Sequence, residues 1–467
     1  MQHSTSQEKD ATVANQDPRR SPGLWYRDVV GRMVGWTLSA RHGQQLDAST
    51  LHQAKRAVLD AAVSLLAGIP TPEGRAILAF VERRGMPGRC RVPGIASQTA
   101  CAYAAYAGTA LSQIHDANDG HPSGQIQRGS YHPGRVIVPA ALALAQEAGL
   151  SGRELLTAVA VGYDIATGVQ YPNGACPDGF GAAATAAYAL ALAPEAARLS
   201  LQIAGFAAPA SGAQDFETNN LTAAQQSRAG IEAALLARAG YPGSYPECFA
   251  SEQFDFRPPS ALGHSLHQTY NKPYPSCRST HACVDAAISL HQNVRGSLEQ
   301  IRSITLRGPL SGSGPAHTVG PHRYYKTYEF STPYCAAAAL VDGTLGTRQM
   351  RPERTDDPLI QRLQAATTII LGEEPSDPTG ASYGGSMEVT MADGTVHACT
   401  IEHPLGSPEN PLSDQAIADK LVAWCDYPQR DADALLDSAM QLDGPESVDA
   451  FVRVLDRLAT HESGAAK

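Results

Sequence analysis

Six side chains able to hold or move a proton lie within one short stretch. His115, Asp116, Asp119, His121, Tyr131 and His132 all fall in HDANDGHPSGQIQRGSYHPGRVIVP (115–139), where glycines separate them before the apolar, alanine-rich run from Val136 to Ala148. Acid and base groups on a glycine-rich loop that abuts a buried helix suit proton transfer, because the loop gives access and the helix gives rigidity. The loop reads as one wall of an active site.

Each group has an ordinary alternative role. His132 precedes Pro133 and Gly134 at the mouth of a helix. A helix N-terminus lowers the pKa of an imidazole and suits a neutral base, whereas a lone loop histidine is commonly just surface polarity. Asp116 and Asp119 can orient a histidine or bind a hydroxyl, or simply satisfy loop amides. His115, Asp116 and His121 also invite a metal reading, as in a metal-dependent hydrolase, but their spacing fits no familiar helical metal motif. Two candidates lie further on. Lys272 sits in the proline-stiffened segment KPYPSC, suited to binding a carboxylate or steadying a carbanion. Tyr334 enters an apolar helix, so its ring should be buried and its hydroxyl needs a partner, backbone being the ordinary one.

The elements that must position these groups are mostly helical. Apolar residues at helical spacing predict helices over Leu51–Ala67, with Ser49 or Thr50 as cap, over Ser97–Ser112, which runs straight into the loop, and over Arg135–Ala148. Asp60, inside the first of these, is expected to be solvated or a capping partner rather than catalytic. Ser151–Thr167 opens with Ser151 and Glu154 in capping-box spacing and should pair antiparallel with the helix before it. Gly181–Leu192, Glu195–Ala208 and Ala223–Ala239 continue the alanine-rich style, whose small side chains let helix backbones approach closely.

Strands enter only after about residue 268. Leu298–Gly308 is rich in β-branched and apolar residues, and Met387, Val389 and Met391 alternate with polar residues up to an Asp393-Gly394 turn, with Val396, Ala398 and Thr400 beyond it. A helix from Pro333 to Val341 lies between them. The reading is a mainly α protein: a tail over 1–22, a large all-helical domain from 23–267 with 403–467, and a smaller α+β lid domain over 268–402, the helices over Leu412–Trp424 and Val448–Leu458 rejoining the first.

Composition narrows the partners. In 467 residues, 36 basic and 46 acidic side chains leave a net charge of −10 without a dense Lys/Arg block, which argues against nucleic acid and for a small-molecule substrate. The nine cysteines include no CxxC pair, no apolar run reaches membrane-spanning length, and the N-terminus has no signal-like core, so a reducing, cytoplasmic setting away from membranes is expected.

The order of the pieces carries a resemblance. HDANDGH, then HPGRVIVPAALALAQEAGLSGRELLTAVAVGYDIATGV, FGAAATAAYALAL, KPYPSCRSTHACVDAAISL and STPYCAAAALVDG, spread over roughly residues 30 to 460, are similar to the MmgE/PrpD superfamily of methylcitrate dehydratases, cis-aconitate decarboxylases and iminodisuccinate epimerases. The resemblance implies a helical domain completed by the C-terminus, a smaller α+β domain over a cleft, a homodimer, and no metal or organic cofactor. Carried over residue by residue, it implies catalytic roles for His132, Asp116, Lys272 and Tyr334, and substrate contacts from Asp119, His121 and His281. Many members also have a histidine where this chain has Pro172, and a lysine and a histidine where it has Asn219 and Thr222. Loss of that positive charge points away from methylcitrate itself, with Arg128 or Arg228 as replacements and Asn219 and Thr222 as neutral hydrogen-bonding groups. The expected chemistry is a cofactor-independent lyase reaction begun by His132, oriented by Asp116, with Lys272 steadying the developing charge and Tyr334 donating a hydrogen bond or proton. An epimerase or isomerase using the same carbanion, and a non-catalytic ligand-binding homologue, are the alternatives.

Overall fold

A computed structural model describes residues 22–41, 45–122, 131–170, 178–206, 219–243, 254–308, 325–371, 383–445 and 447–460. Among these described residues nine helices come first: α1 (Pro22–Ser39), α2 (Ala48–Gly68), α3 (Pro72–Arg84), α4 (Cys101–Ser112), α5 (Gly134–Ala148), α6 (Gly152–Gly168), α7 (Asp178–Ala189), α8 (Pro194–Phe206) and α9 (Asn219–Arg238). Two-residue strands β1 (Val169–Gln170) and β2 (Asp255–Phe256) pair antiparallel beside them. After the short α10 (His264–His267) come α11 (His281–Val294), β3 (Ile301–Gly308), α12 (Tyr325–Glu329), α13 (Thr332–Asp342), α14 (Pro352–Thr355), α15 (Pro358–Ala365), β4 (Thr367–Leu371), β5 (Gly385–Met391) and β6 (Val396–Ile401). Helices α16 (Asp414–Cys425), α17 (Gln429–Met440) and α18 (Ser447–Ala459) close the described chain.

The chain is mainly α with a smaller α+β part, and its described residues bury two apolar clusters. The larger joins residues of α1 to α9 to residues between Leu412 and Leu458, in and around the last three helices, and the smaller is built from α11, α13, α15 and one face of a sheet. The cap of α2 falls outside both candidates read from sequence. The Asp47 carboxylate accepts from the Thr50 N–H, so the helix begins at Ala48. α6 carries the capping box expected of it, Ser151 Oγ accepting from Glu154 N–H and Glu154 Oε2 from Ser151 N–H. Small residues bring α6 against α7: a Cβ on Gly162 would lie 2.3 Å from Thr185 Oγ1.

The sheet runs β4-β3-β5-β6, with β3 and β4 parallel and the other neighbours antiparallel. Met387, Val389 and Met391 point into the smaller cluster, as their period of two requires. Gly394 takes the left-handed conformation of the hairpin turn, φ +87°. β3 begins three residues later than the sequence suggests, because Leu298–Gln300 form a single 3-10 turn. No helix among the described residues is long and apolar enough to cross a membrane.

Candidate functional site

α4 delivers the chain into the loop, and backbone bonds then tie the loop down. Asn118 Nδ2 donates to the Ser112 carbonyl at 2.7 Å, Gly120 exchanges two backbone hydrogen bonds with Tyr270, and His121 exchanges two with Tyr131. Gly120 is needed for that approach: a Cβ there would lie 2.2 Å from the Tyr270 ring. The segment carrying Lys272 is thereby laid directly along the histidine loop.

His132 Nδ1 lies 2.6 Å from the Asp119 carbonyl oxygen. A carbonyl only accepts, so Nδ1 carries the hydrogen and the neutral ring has its lone pair on Nε2. Nε2 has no hydrogen-bond partner among the described residues, and His132 remains partly accessible. Burial, helped by the field of Lys272, pushes the imidazole down to about 3. The expected orienting role of Asp116 is therefore corrected. It is the Asp119 main chain that holds the ring.

Asp116 belongs to Lys272 instead. The ammonium, fully buried, lies 2.8 Å from Asp116 Oδ1 and donates to the Asp116 carbonyl at 3.0 Å. Burial works to raise the Asp116 carboxyl, but Lys272 and His132 hold it below the usual carboxylate range. Lys272 is thus a paired cation with one of its three N–H groups left for another acceptor.

Asp119 points its side chain away from His132. Its Oδ1 accepts from Gly134 N–H at 3.0 Å and its Oδ2 from the Tyr163 hydroxyl at 2.6 Å. Burial and the neighbouring Asp60 carboxylate push its pKa up to about 7. His121 Nε2 meets Gln268 Oε1 at 3.2 Å and its buried Nδ1 has no partner among the described residues, with burial lowering the ring to about 4.

These shifts make a prediction about pH. Both imidazoles are neutral when folded, so their contribution to stability is complete above the ordinary 6.5 and is lost as pH falls towards about 3 for His132 and about 4 for His121. Asp119 acts with the opposite sign. Raised from 3.8 to about 7, it contributes fully below 3.8 and loses that contribution as pH rises to about 7. Nitrogen-15 NMR of the imidazoles is expected to show His132 neutral from about pH 8 to about pH 5. A midpoint near the ordinary histidine value would refute the buried, neutral assignment.

Several expected site residues are occupied elsewhere. His281 is fully buried, its Nε2–H donating to the Ser276 carbonyl at 3.2 Å and its Nδ1 facing an Arg278 amine at 3.3 Å, so neither nitrogen is left for a substrate. Tyr334 lies inside the smaller apolar cluster with its hydroxyl donating to the Gln349 carbonyl, and burial pushes its pKa up. That is the backbone role, and a proton donor committed to a carbonyl inside a core is poorly placed for catalysis. His115 pairs with Glu329, and among the described residues no group of three His, Cys, Asp or Glu is placed to hold a metal ion. Thr222 is exposed. Arg228 pairs with Glu232 at 2.9 Å and stacks over Tyr103 of α4, so it is not a free cation. Arg128 and Pro172 lie outside the described residues, as does the side chain of Asn219.

Three site residues escaped the sequence reading. Asp60 is 1% exposed, not solvated, because α2 is buried on nearly every side. Lys420 on α16 bonds its carboxylate. A lysine in helical register with Ile417, Leu421 and Trp424 was the available signal, since a buried stripe tolerates a cation only beside a partner. Glu329, fully buried, accepts from His115 Nδ1–H at 3.1 Å and from the Asp116 N–H at 3.2 Å, and burial raises its pKa. Nothing in the surrounding TYEFS marks it.

The architecture is that of a mainly helical protein with a small mixed sheet, its histidine loop packed against a buried Lys–Asp pair. Sequence models of two domains match this chain, the MmgE/PrpD N-terminal domain over residues 33–255 and the MmgE/PrpD C-terminal domain over 274–443. The chain belongs to the MmgE/PrpD superfamily. It is 27% identical over 197 residues to a 2-methylcitrate dehydratase of Cupriavidus necator, covering 38% of this chain and 40% of that protein. It is 23% identical over 185 residues to a mitochondrial 2-methylcitrate dehydratase of Yarrowia lipolytica, covering 38% and 35% respectively. The matched part therefore spans well under half of each of these relatives.

Proposed function

We propose that the protein is a cofactor-independent lyase of the dehydratase or decarboxylase type, acting on a small organic acid other than methylcitrate. The observation that carries the reading is His132: a neutral imidazole, its Nδ1–H held by the Asp119 carbonyl, with Nε2 unprotonated and unpartnered among the described residues. Such a nitrogen takes a proton from carbon next to a carboxylate or carbonyl. The electron pair moves onto the carboxylate or carbonyl oxygen, where the remaining N–H of Lys272 meets the charge; it then returns to form the carbon–carbon double bond as the β C–O bond breaks, and the proton taken by His132 leaves with the hydroxyl as water. Membership of the superfamily and relatives named as dehydratases support the lyase class over the isomerase.

Proton NMR in deuterated water with a panel of unsaturated and hydroxylated mono-, di- and tricarboxylates and their amides tests the reading. New olefinic signals or released carbon dioxide are expected. Deuterium entering a substrate without net conversion would replace the lyase by an epimerase.

The substrate's acidic end has a candidate partner. Of the described lysines, Lys55, Lys272 and Lys420 each hold a carboxylate, whereas Lys326, only 4% exposed, has no hydrogen bond or ion pair to another described residue. It lies three residues before Glu329 on α12, the same helical face. A charge-assisted bond contributes about 1.5–3 kcal/mol, so Lys326→Met is expected to raise KM for the acid by roughly 10- to 100-fold and leave its amide analogue unchanged. An equal effect on both would remove Lys326 from this role.

A further inference from the structure

Lys420 reaches the two groups that the proposed reaction uses most, from a helix far along the chain. Its ammonium bonds Asp60 Oδ1 and donates to the main-chain carbonyl of Lys272 at 3.2 Å. Asp60 Oδ2 in turn accepts from the Asp119 N–H at 3.0 Å, and the Asp119 carbonyl accepts from His132 Nδ1–H at 2.6 Å. One cation therefore anchors the backbone of Lys272 directly and the imidazole of His132 through a carboxylate and one residue of main chain. The indole of Trp424, 4.8 Å from Nζ, closes the remaining side.

We propose that Lys420 and Asp60 are a positioning pair that sets the tautomer and the burial of His132 and its placement relative to Lys272. The inference rests on His132 being the base, but the structural part stands or falls without a substrate.

The chemistry of the pair makes the proposal specific. Asp60 and Asp119 are neighbouring buried carboxyls, and like charges so placed cannot both remain ionised without a cation. Lys420 supplies that cation on the Asp60 side, where both carboxylate oxygens accept. Lys420→Met keeps the apolar stem and removes the charge. Asp60 then loses its counter-ion and turns away, the Asp119 main chain loses its anchor, and the His132 ring is released towards water. Asp60→Asn acts on the same link from the other end, since the amide has one oxygen and cannot accept from both Lys420 and the Asp119 N–H in the present geometry.

Nitrogen-15 NMR of the imidazoles in the full-length protein reads the result. In the parent, His132 is a single Nδ1–H tautomer. In Lys420→Met and Asp60→Asn a mixture with the Nε2–H form is expected, with the titration midpoint moving up by about one unit or more towards the ordinary histidine value. Lys420→Arg, which keeps the charge, should restore the parental spectrum. His403, which lies at the surface and outside this chain of bonds, is the internal control and should not move. A folded Lys420→Met or Asp60→Asn with the parental His132 tautomer and midpoint overturns the proposal. If Lys420→Met does not fold, Asp60→Asn and Lys420→Arg decide the matter, and matching changes at His403 and His132 would show a general loosening and overturn it too. A failed substrate panel would leave all of these outcomes readable.

Discussion

Replacing His132 by glutamine is expected to lower turnover by roughly two to four orders of magnitude, the usual contribution of a positioned general base. The expectation follows from one atom. Nε2 is the unprotonated nitrogen, without a partner among the described residues, of a ring whose other nitrogen is fixed by a carbonyl at 2.6 Å. A glutamine amide can still donate to the Asp119 carbonyl, but it has no basic nitrogen to offer. Stability should change little, since His132 makes this single hydrogen bond among the described residues and remains partly accessible. The measurement is the rate of solvent deuterium entry or product formation on whichever acid of the panel reacts, with urea unfolding alongside. Near-parental turnover would exclude His132 as the base. Equal losses of turnover and stability would mean that the ring supports the loop rather than the reaction.

Lys272→Met is expected to be costly in both quantities. The ammonium is fully buried against Asp116, and removing one partner of such a pair leaves the other as an uncompensated charge, typically about 3–5 kcal/mol. The backbone of Asp116 stays in place after the change, because its N–H still donates to Glu329 at 3.2 Å. The double variant Asp116→Asn, Lys272→Met should recover part of the stability by removing both charges together, while activity stays lost. Urea unfolding of the two single variants and the double variant forms a cycle that isolates the pair. A Lys272→Met protein as stable as its parent would contradict the ion pair, and a double variant with parental turnover would remove Lys272 from the chemistry.

Both predictions concern residues that are legible as a local pattern. A histidine followed by Pro-Gly at the start of an alanine-rich helix, and a lysine in a proline-stiffened segment, are visible because backbone chemistry announces itself at short range. The hairpin β5–β6 is legible for the same reason: Met387, Val389 and Met391 alternate up to an Asp-Gly turn, and that period admits one face inward. The cap at Asp47 lies two residues before the nearer sequence candidate because Ser49 and Thr50 are also good caps, and only the geometry of the chain entering α2 chooses among them.

Pairings are not legible. Asp116 is expected beside His132 and belongs to Lys272. His281 is expected at the substrate and is used up by Ser276 and Arg278, and Tyr334 is used up by Gln349. Each difference has one physical source. A side chain's type says what bonds it can make, but the partner is whatever the fold brings within about 3 Å, often from far along the chain. His115 and Glu329 are 214 residues apart, and Asp60 and Lys420 are 360 apart.

By itself, then, the sequence determined α2, α4 to α9, α13, α16 and α18, the hairpin and the superfamily, because periodicity, turn residues and ordered motifs act over a few residues at a time. Tertiary structure alone decided which nitrogen of His132 a carbonyl holds, that Lys272 carries its own counter-ion, and that a lysine from α16 stands behind both. Those are properties of buried charge, and a buried charge is defined by its neighbours.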